Sequence, residues 1–431
     1  MSRYSWGLYP EIQAKILNPF DKSKLKDYLL SYQSLIPYGN GRSYGDSALS
    51  DNIITSKYFK YFLEFDENNG ILKCQSGVLL SDILNFIVPR GWFLEITPGT
   101  KLITIGGAIA SDVHGKNHHK NGCFSNSIIN FNLMLPSGDI VNVKPNDELF
   151  KATCGGMGLT GFIIDATIKL KRINSQFIKQ RIVISKNLKE AFDAFEKYSN
   201  APYSVAWIDC LADKNNLGRS ILFVGDFEND SNLNYNDFSK KINVPFYFPP
   251  WTLNKYSVKS FNYIYYFINN MISDISKVHF DKFFYPLDAI NNWNRIYGKN
   301  GFTQYQFILP KNNSYDGLME ILYEIYKSGL GSFLSVLKLY GKQNQNYLSF
   351  PIEGYSLALD FKIEGQLFDL LDKLDQIVVK YSGRVYLTKD VRMKKEIFYS
   401  SYDKIDKFLE IKKMIDPKNK LQSLQSRRIG L

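Results

Sequence analysis

Three stretches of nearly bare backbone constrain this chain more than any other feature. They are Y-G-N-G-R-S-Y-G-D (Tyr38 to Asp46), T-P-G-T-K-L-I-T-I-G-G-A-I-A (Thr97 to Ala110) and C-G-G-M-G-L-T-G (Cys154 to Gly161). Without a Cβ, glycine either takes positive φ or lets another backbone or a ligand approach closely. Interleaved with Ser43, Thr100 and Thr104, these loops turn N–H groups and hydroxyls toward a common point, as an anion-binding nest does. Such a set suits a phosphate-bearing cofactor whose ring system lies along bare backbone.

Two common phosphate cradles are excluded. The first loop has no G-K-[ST] and is not a P-loop, and it lacks the G-x-G-x-x-G of a dinucleotide-binding turn. Read alone, it also fits a tight surface turn.

The remaining pattern is α+β. Short strands and turns fill the first 170 residues or so, ending in the long β-type run Gly161 to Ile173. Beyond Asn174 come the helix E-A-F-D-A-F-E-K-Y and the strands Y-S-V-A-W-I-D and R-S-I-L-F-V-G-D. A very aromatic segment, Pro245 to Phe284, follows; its prolines and lack of period predict an irregular lid. The strand T-Q-Y-Q-F-I-L-P, two amphipathic helices and further strands lead to a basic tail. A length of 431 residues exceeds what one core organises. We expect a first unit over 1–173, a substrate-binding unit over 174–383 with an antiparallel sheet flanked by helices, and a segment 384–431 returning to the first.

Composition narrows the class. A 45% hydrophobic, 22% charged chain is globular rather than disordered. From Arg384 onward, thirteen Lys/Arg face six Asp/Glu within a net charge of +11. That excess suits an anionic surface or ligand, or a solvated helix face. No paired zinc ligands or aromatic RNP motif accompany it, so nucleic acid is not an expected partner. No signal peptide and no membrane-spanning run is visible, and four scattered cysteines form no C-x-x-C pair, so a cytoplasmic location is expected.

Three of the four histidines, His114, His118 and His119, fall within H-G-K-N-H-H. Two histidines four apart hold zinc when they share a helix face, usually with a carboxylate. Gly115 and Asn117 make this stretch a poor helix, so no metal is expected.

The glycine blocks, with H-G-K-N-H-H, resemble the PCMH-type FAD-binding domain of the vanillyl-alcohol-oxidase superfamily. Within it they are most similar to the decaprenylphosphoryl-β-D-ribose oxidase family, the flavin subunits of a 2′-epimerase. The likeness continues in order through Y-S-V-A-W-I-D, L-N-K-Y-S-V-K-S-F-N, F-F-Y-P-L-D, W-N-R-I-Y-G, G-F-T-Q-Y-Q-F, L-S-F-P, Y-L-T-K-D-V-R and the closing R-R.

The resemblance implies FAD, cradled by Gly39, Asn40, Gly41, Arg42, Ser43 and Tyr44. Gly99, Thr100, Ile103, Thr104, Gly106, Gly107 and Ala108 would flank its pyrophosphate and ring. Met157, Gly158, Ile163 and Tyr386 would complete the pocket. Tyr44 stands where many superfamily members carry a flavin-linked histidine, which implies non-covalent FAD.

The implied reaction oxidises the 2′-hydroxyl of a polyprenyl-phosphoryl-ribose to a keto sugar, with hydride passing to flavin N5. Lys389 would be the base, and His114 and Lys116 would stand beside the flavin. Gln304, Gln306 and Lys338 would hold the sugar or its phosphate, while Trp207, Phe284 and Ala358 would form pocket walls. Ala358 replaces the family's cysteine in W-N-x-C-x-D-F. An NAD(P)H-dependent short-chain reductase partner and a peripheral contact with the inner membrane are also implied. A free aldonolactone, alditol or sugar is the alternative substrate.

Overall fold

The protein is described by a computed structural model over residues 2–233, 242–271 and 274–431. Three sheets dominate the described residues. A small parallel sheet joins Lys15–Leu17, Asn52–Thr55 and Ile36–Tyr38, in that order. A six-stranded antiparallel sheet is built around the long strand Phe162–Arg172. That strand pairs with Ile71–Gln75 on one side and, in succession, with Ile128–Met134 and Trp92–Leu94 on the other.

The largest sheet has eight antiparallel strands. In order they are Ile275–His279, Phe177–Ser185, Ser220–Phe227, Tyr203–Ile208, Ser335–Tyr340, Gly354–Lys362, Phe302–Pro310 and Arg384–Val385. Its two faces differ, because successive side chains point to opposite sides of a strand. Ile208, Tyr305, Phe307, Leu337, Leu339, Leu357 and Leu359 pack in a core beneath the helices Leu188–Lys197, Ser314–Ser328 and Leu367–Lys380. The alternate positions Val205, Trp207, Gln304, Gln306, Val336, Lys338, Ser356 and Ala358 line a cavity instead. The mixed α/β class with antiparallel sheets agrees with the sequence reading.

Two expectations need correction. The aromatic segment is not irregular throughout: Lys255–Asn270 is a regular helix, closed at its start by a reciprocal Asn254–Ser257 capping box. Its inner face is marked by Val258, Asn262 and Asn269, while Tyr256, Tyr263, Ile264 and Phe267 face outward. Aromatic residues on both faces hide the helical period in the sequence. Ile272, at the end of the aromatic run, lies outside the described residues.

The basic tail is not one open positive face either. Arg384 pairs with Asp403, Arg392 with Asp372 and Asp375, Lys412 with Asp416, and Arg428 with Asp46 and Asp390. The tail meets the first residues of the chain at a parallel bridge between Leu35 and Leu421. Among the described residues, no helix is long and apolar enough to cross a membrane.

Candidate active site

A cavity of about 860 Å³ lies between the glycine loops and the open face of the large sheet. The first loop provides unsatisfied donors. Among the described residues, the N–H groups of Asn40, Gly41, Arg42 and Ser43 find no partner within the protein. Of its three glycines only Gly41 takes positive φ, at +63°. Gly39 and Gly45 serve close approach: a Cβ would lie 2.4 Å from Thr104 Oγ1 at Gly39, and 2.1 Å from the Asp390 carbonyl at Gly45.

Thr104 also caps the short helix Ile105–Ala110, its Oγ1 accepting the Gly107 N–H at 3.1 Å. Gly106 packs on Ser76, where a Cβ would lie 3.0 Å from the serine Cβ. The Ser76 hydroxyl and His114 Nδ1 are both buried without a hydrogen-bond partner, and both residues line the cavity. Free N–H donors, bare backbone and these two orphaned atoms fit a large, phosphate-bearing, planar cofactor.

Gly99, Ile103, Met157, Gly158, Ile163 and Tyr386 also line the cavity. Tyr386 donates to the Ser111 carbonyl at 3.0 Å and stacks on Phe350 with ring centroids 4.6 Å apart. Two cofactor expectations change. Ala108 is fully buried in the core behind its helix and does not reach the cavity. Thr100 does reach it, but its hydroxyl is committed to Asp288 at 2.7 Å.

The sheet side carries the ionisable groups. Lys389 lies on a short turn, its ammonium 3.7 Å from the Tyr44 ring centroid. Burial pulls its pKa down to about 7; Asp360 opposes the shift and Lys338 reinforces it. Burial likewise pushes Asp360 up to about 7, against the hydrogen bond from Gln304 and the field of Lys389. Gln304 Nε2 donates to Asp360 Oδ1 at 2.5 Å. Burial thus lowers the proton affinity of Lys389 and raises that of Asp360, and the charge of each opposes the shift of the other.

Lys116 falls to about 7 through burial and repulsion from Lys338, and burial alone lowers Lys338 to about 8. The Lys116 ammonium donates to the Phe283 carbonyl and sits 4.5 Å over the Phe283 ring. Burial, then Lys338, hold His114 well below its ordinary value, so it is neutral. Its Nε2 is 3.3 Å from Gln306 Nε2, which also lies 3.4 Å from the Tyr340 hydroxyl. Three lysines sharing one low-dielectric cavity repel one another, and an anion relieves that repulsion.

Of the three neighbouring histidines, His114 and His118 stand edge to face with ring centroids 6.4 Å apart, and His119 turns away. His118 Nδ1 accepts the Gly341 N–H at 3.2 Å, and His119 Nε2 bonds to the Ala201 carbonyl at 2.8 Å. Trp207, Phe284 and Ala358 line the cavity, Trp207 with its indole N–H donated to the Phe333 carbonyl at 3.0 Å.

Asp360, Tyr340 and Asp112 were not expected from sequence. Asp360 is directly opposite Gln304 in the strand pairing, so its signal is a cross-strand register. Asp112 is fully buried at φ +40°. Its carboxylate accepts from Asn344, Asn346 and Ser349 at 2.7 to 2.8 Å and from the Ser125 N–H at 3.0 Å. It ties the turn before His114 to the segment 344–349.

Residues 29–144 match the FAD binding domain family. The chain is 32% identical over 418 residues to decaprenylphosphoryl-β-D-ribose oxidase of Mycolicibacterium smegmatis, covering 93% of this chain and 90% of that protein. It is 25% identical to an uncharacterised Streptomyces coelicolor protein, over 82% of this chain and all of that one. D-arabinono-1,4-lactone oxidase of Candida glabrata shares 22% identity over 45% of the chain and 37% of its own length. With the FAD match and a relative aligned almost end to end, this FAD-dependent oxidoreductase belongs to the decaprenylphosphoryl-β-D-ribose oxidase family.

Proposed function

We propose that this protein oxidises the 2′-hydroxyl of a polyprenyl-phosphoryl-β-D-ribose to the 2-keto sugar, the first half of an epimerisation to the arabinose form. The observation that carries the reading is the meeting of three lysines, Lys389, Lys116 and Lys338, in one cavity with the glycine loops, with the buried carboxylate of Asp360 acting on Lys389. Residues 1–173 and 384–431 bind FAD, and 174–383 bind substrate. FAD, when bound, supplies the hydride acceptor at N5.

The chain's own groups supply the rest. Neutral Lys389 takes the hydroxyl proton on Nζ, and Asp360 sets its proton affinity. Gln304 and Gln306, on one face of their strand, orient the sugar. Lys116 and Lys338 neutralise the phosphodiester, and neutral His114 holds the reacting end through Gln306. Tyr44 leaves FAD without a covalent link.

The outward aromatic face of Lys255–Asn270 supports peripheral membrane contact. Tyr256 is 79% exposed, Tyr263 58% and Phe267 52%, while Tyr265 and Asn269 of the same helix line the cavity. A prenyl chain leaving the cavity there would enter an interfacial layer suited to aromatic side chains. The keto product would pass to an NAD(P)H-dependent reductase.

Anaerobic bleaching of the flavin absorbance tests the reading. Prenylphosphoryl-ribose should bleach it and free sugars should not. Bleaching by a free aldonolactone or alditol alone would favour the alternative, which the partial likeness to the lactone oxidase motivates.

A further inference from the structure

The residue next to the proposed base is an aspartate, and it points elsewhere. Asp390 accepts from Arg428 Nη2 at 2.6 Å, from Gln425 Nε2 at 3.2 Å, and from the N–H groups of Arg392 and Met393 at 2.9 and 2.6 Å. The same guanidinium holds Asp46 at 2.6 and 3.1 Å. The side chain of Asp46 is 4% exposed and that of Asp390 2%. Asp46 closes the first glycine loop, and Asp390 closes the Lys389 turn. Backbone bonds join the two directly: the Tyr44 and Gly45 N–H groups both donate to the Thr388 carbonyl at 3.2 Å. Gly45 leaves no room for a Cβ against the Asp390 carbonyl.

We propose that Arg428 is a positioning residue that withholds the Asp390 carboxylate from Lys389 and locks the Lys389 turn to the loop that cradles the cofactor. The part concerning Lys389 as base rests on the function proposed above; the lock does not. A neighbouring carboxylate favours a protonated ammonium, which is the inactive form of a base. One guanidinium fork is suited to two carboxylates at once, whereas an ammonium presents a single point charge. With Arg428 in place, Lys389 faces Tyr44, Asp360 and Lys338, and it lies within the field of His114. Asp390 faces Arg428, Arg392 and the like-charged Asp46 and Asp375. Removing the guanidinium leaves Asp390 with less compensation and extends its field to the adjacent lysine.

The test uses the full-length holoprotein and needs no substrate. Lys389 is titrated by competitive acetylation across pH, read by mass spectrometry of its peptide, and FAD affinity is read by flavin fluorescence. Arg428→Gln should raise the Lys389 midpoint by about one pH unit or more and weaken FAD binding about tenfold or more. Asp390→Asn in the same background should return the midpoint toward that of the unaltered protein without restoring FAD affinity. If Arg428→Gln does not fold, Arg428→Lys carries the test and should move both readouts in the same directions. An unmoved Lys389 midpoint in a folded variant overturns the proposal, even where melting temperature falls. Because neither readout involves turnover, failure here is separable from a wrong substrate assignment.

Discussion

The ammonium of Lys389 lies 3.7 Å from the centroid of the Tyr44 ring. The proposed base therefore rests on the loop proposed to cradle the cofactor, on the tyrosine that stands where a flavin-linked histidine would be. Replacing Lys389 with alanine should lower the rate of anaerobic flavin reduction by about 10²- to 10⁴-fold, with FAD still bound. Stopped-flow absorbance checks this. Loss of less than threefold would remove Lys389 from the base role.

The pH dependence follows from the Lys389–Asp360 pair. A base works when neutral, so the reduction rate should rise with pH through about 7, where burial has brought Lys389. Asp360 favours the protonated ammonium. Asp360→Asn should therefore lower the lysine's proton affinity and move the acid limb of the profile to lower pH. A shift to higher pH would contradict the electrostatics of the pair.

Tyr44 cannot make the histidyl flavin link, so acid precipitation should leave all of the flavin in the supernatant as FAD. Yellow colour retained in the washed pellet would show attachment through some other residue.

Gly39→Ala should weaken FAD binding by about tenfold or more, because a Cβ 2.4 Å from Thr104 Oγ1 must displace the cap of the Ile105–Ala110 helix. Titration of the apoprotein with FAD measures this, and an affinity within about twofold of the unaltered protein would remove Gly39 from the cradle.

Asp112→Ala should destabilise the fold by about 2–4 kcal/mol, since it strands the donors of Asn344, Asn346, Ser349 and the Ser125 N–H in the interior. Urea unfolding of the holoprotein reads the loss directly. A change below 0.5 kcal/mol, roughly that of a surface substitution, would show that these donors find other partners.

The sequence announces most clearly the features in which local chemistry and site coincide. Q-Y-Q-F places Gln304 and Gln306 on one face by the strand's own period, and both line the cavity. The Gly-Gly run opens a helix capped by Thr104, one residue upstream, a signal contained within a few positions. Ala108 misleads because small size suits both a ligand wall and a helix packed against a core, and here packing wins. Asp360 is silent in the sequence and Arg428 shows there only as half of the closing R-R, because their roles lie in partners across a strand register or 382 residues away. The helix Lys255–Asn270 is obscured because aromatic side chains on its outer face erase the polar half of the amphipathic pattern.

The bridge from Leu35 to Leu421 and the bonds from Tyr44 and Gly45 to Thr388 make the first fifty residues depend on the last fifty. During synthesis the glycine loop is made well before the wall behind it. The cradle therefore stays unfinished until the segment carrying Thr388 and Leu421 has been added. Truncation from the C-terminus would remove cofactor retention before it removed the sheets.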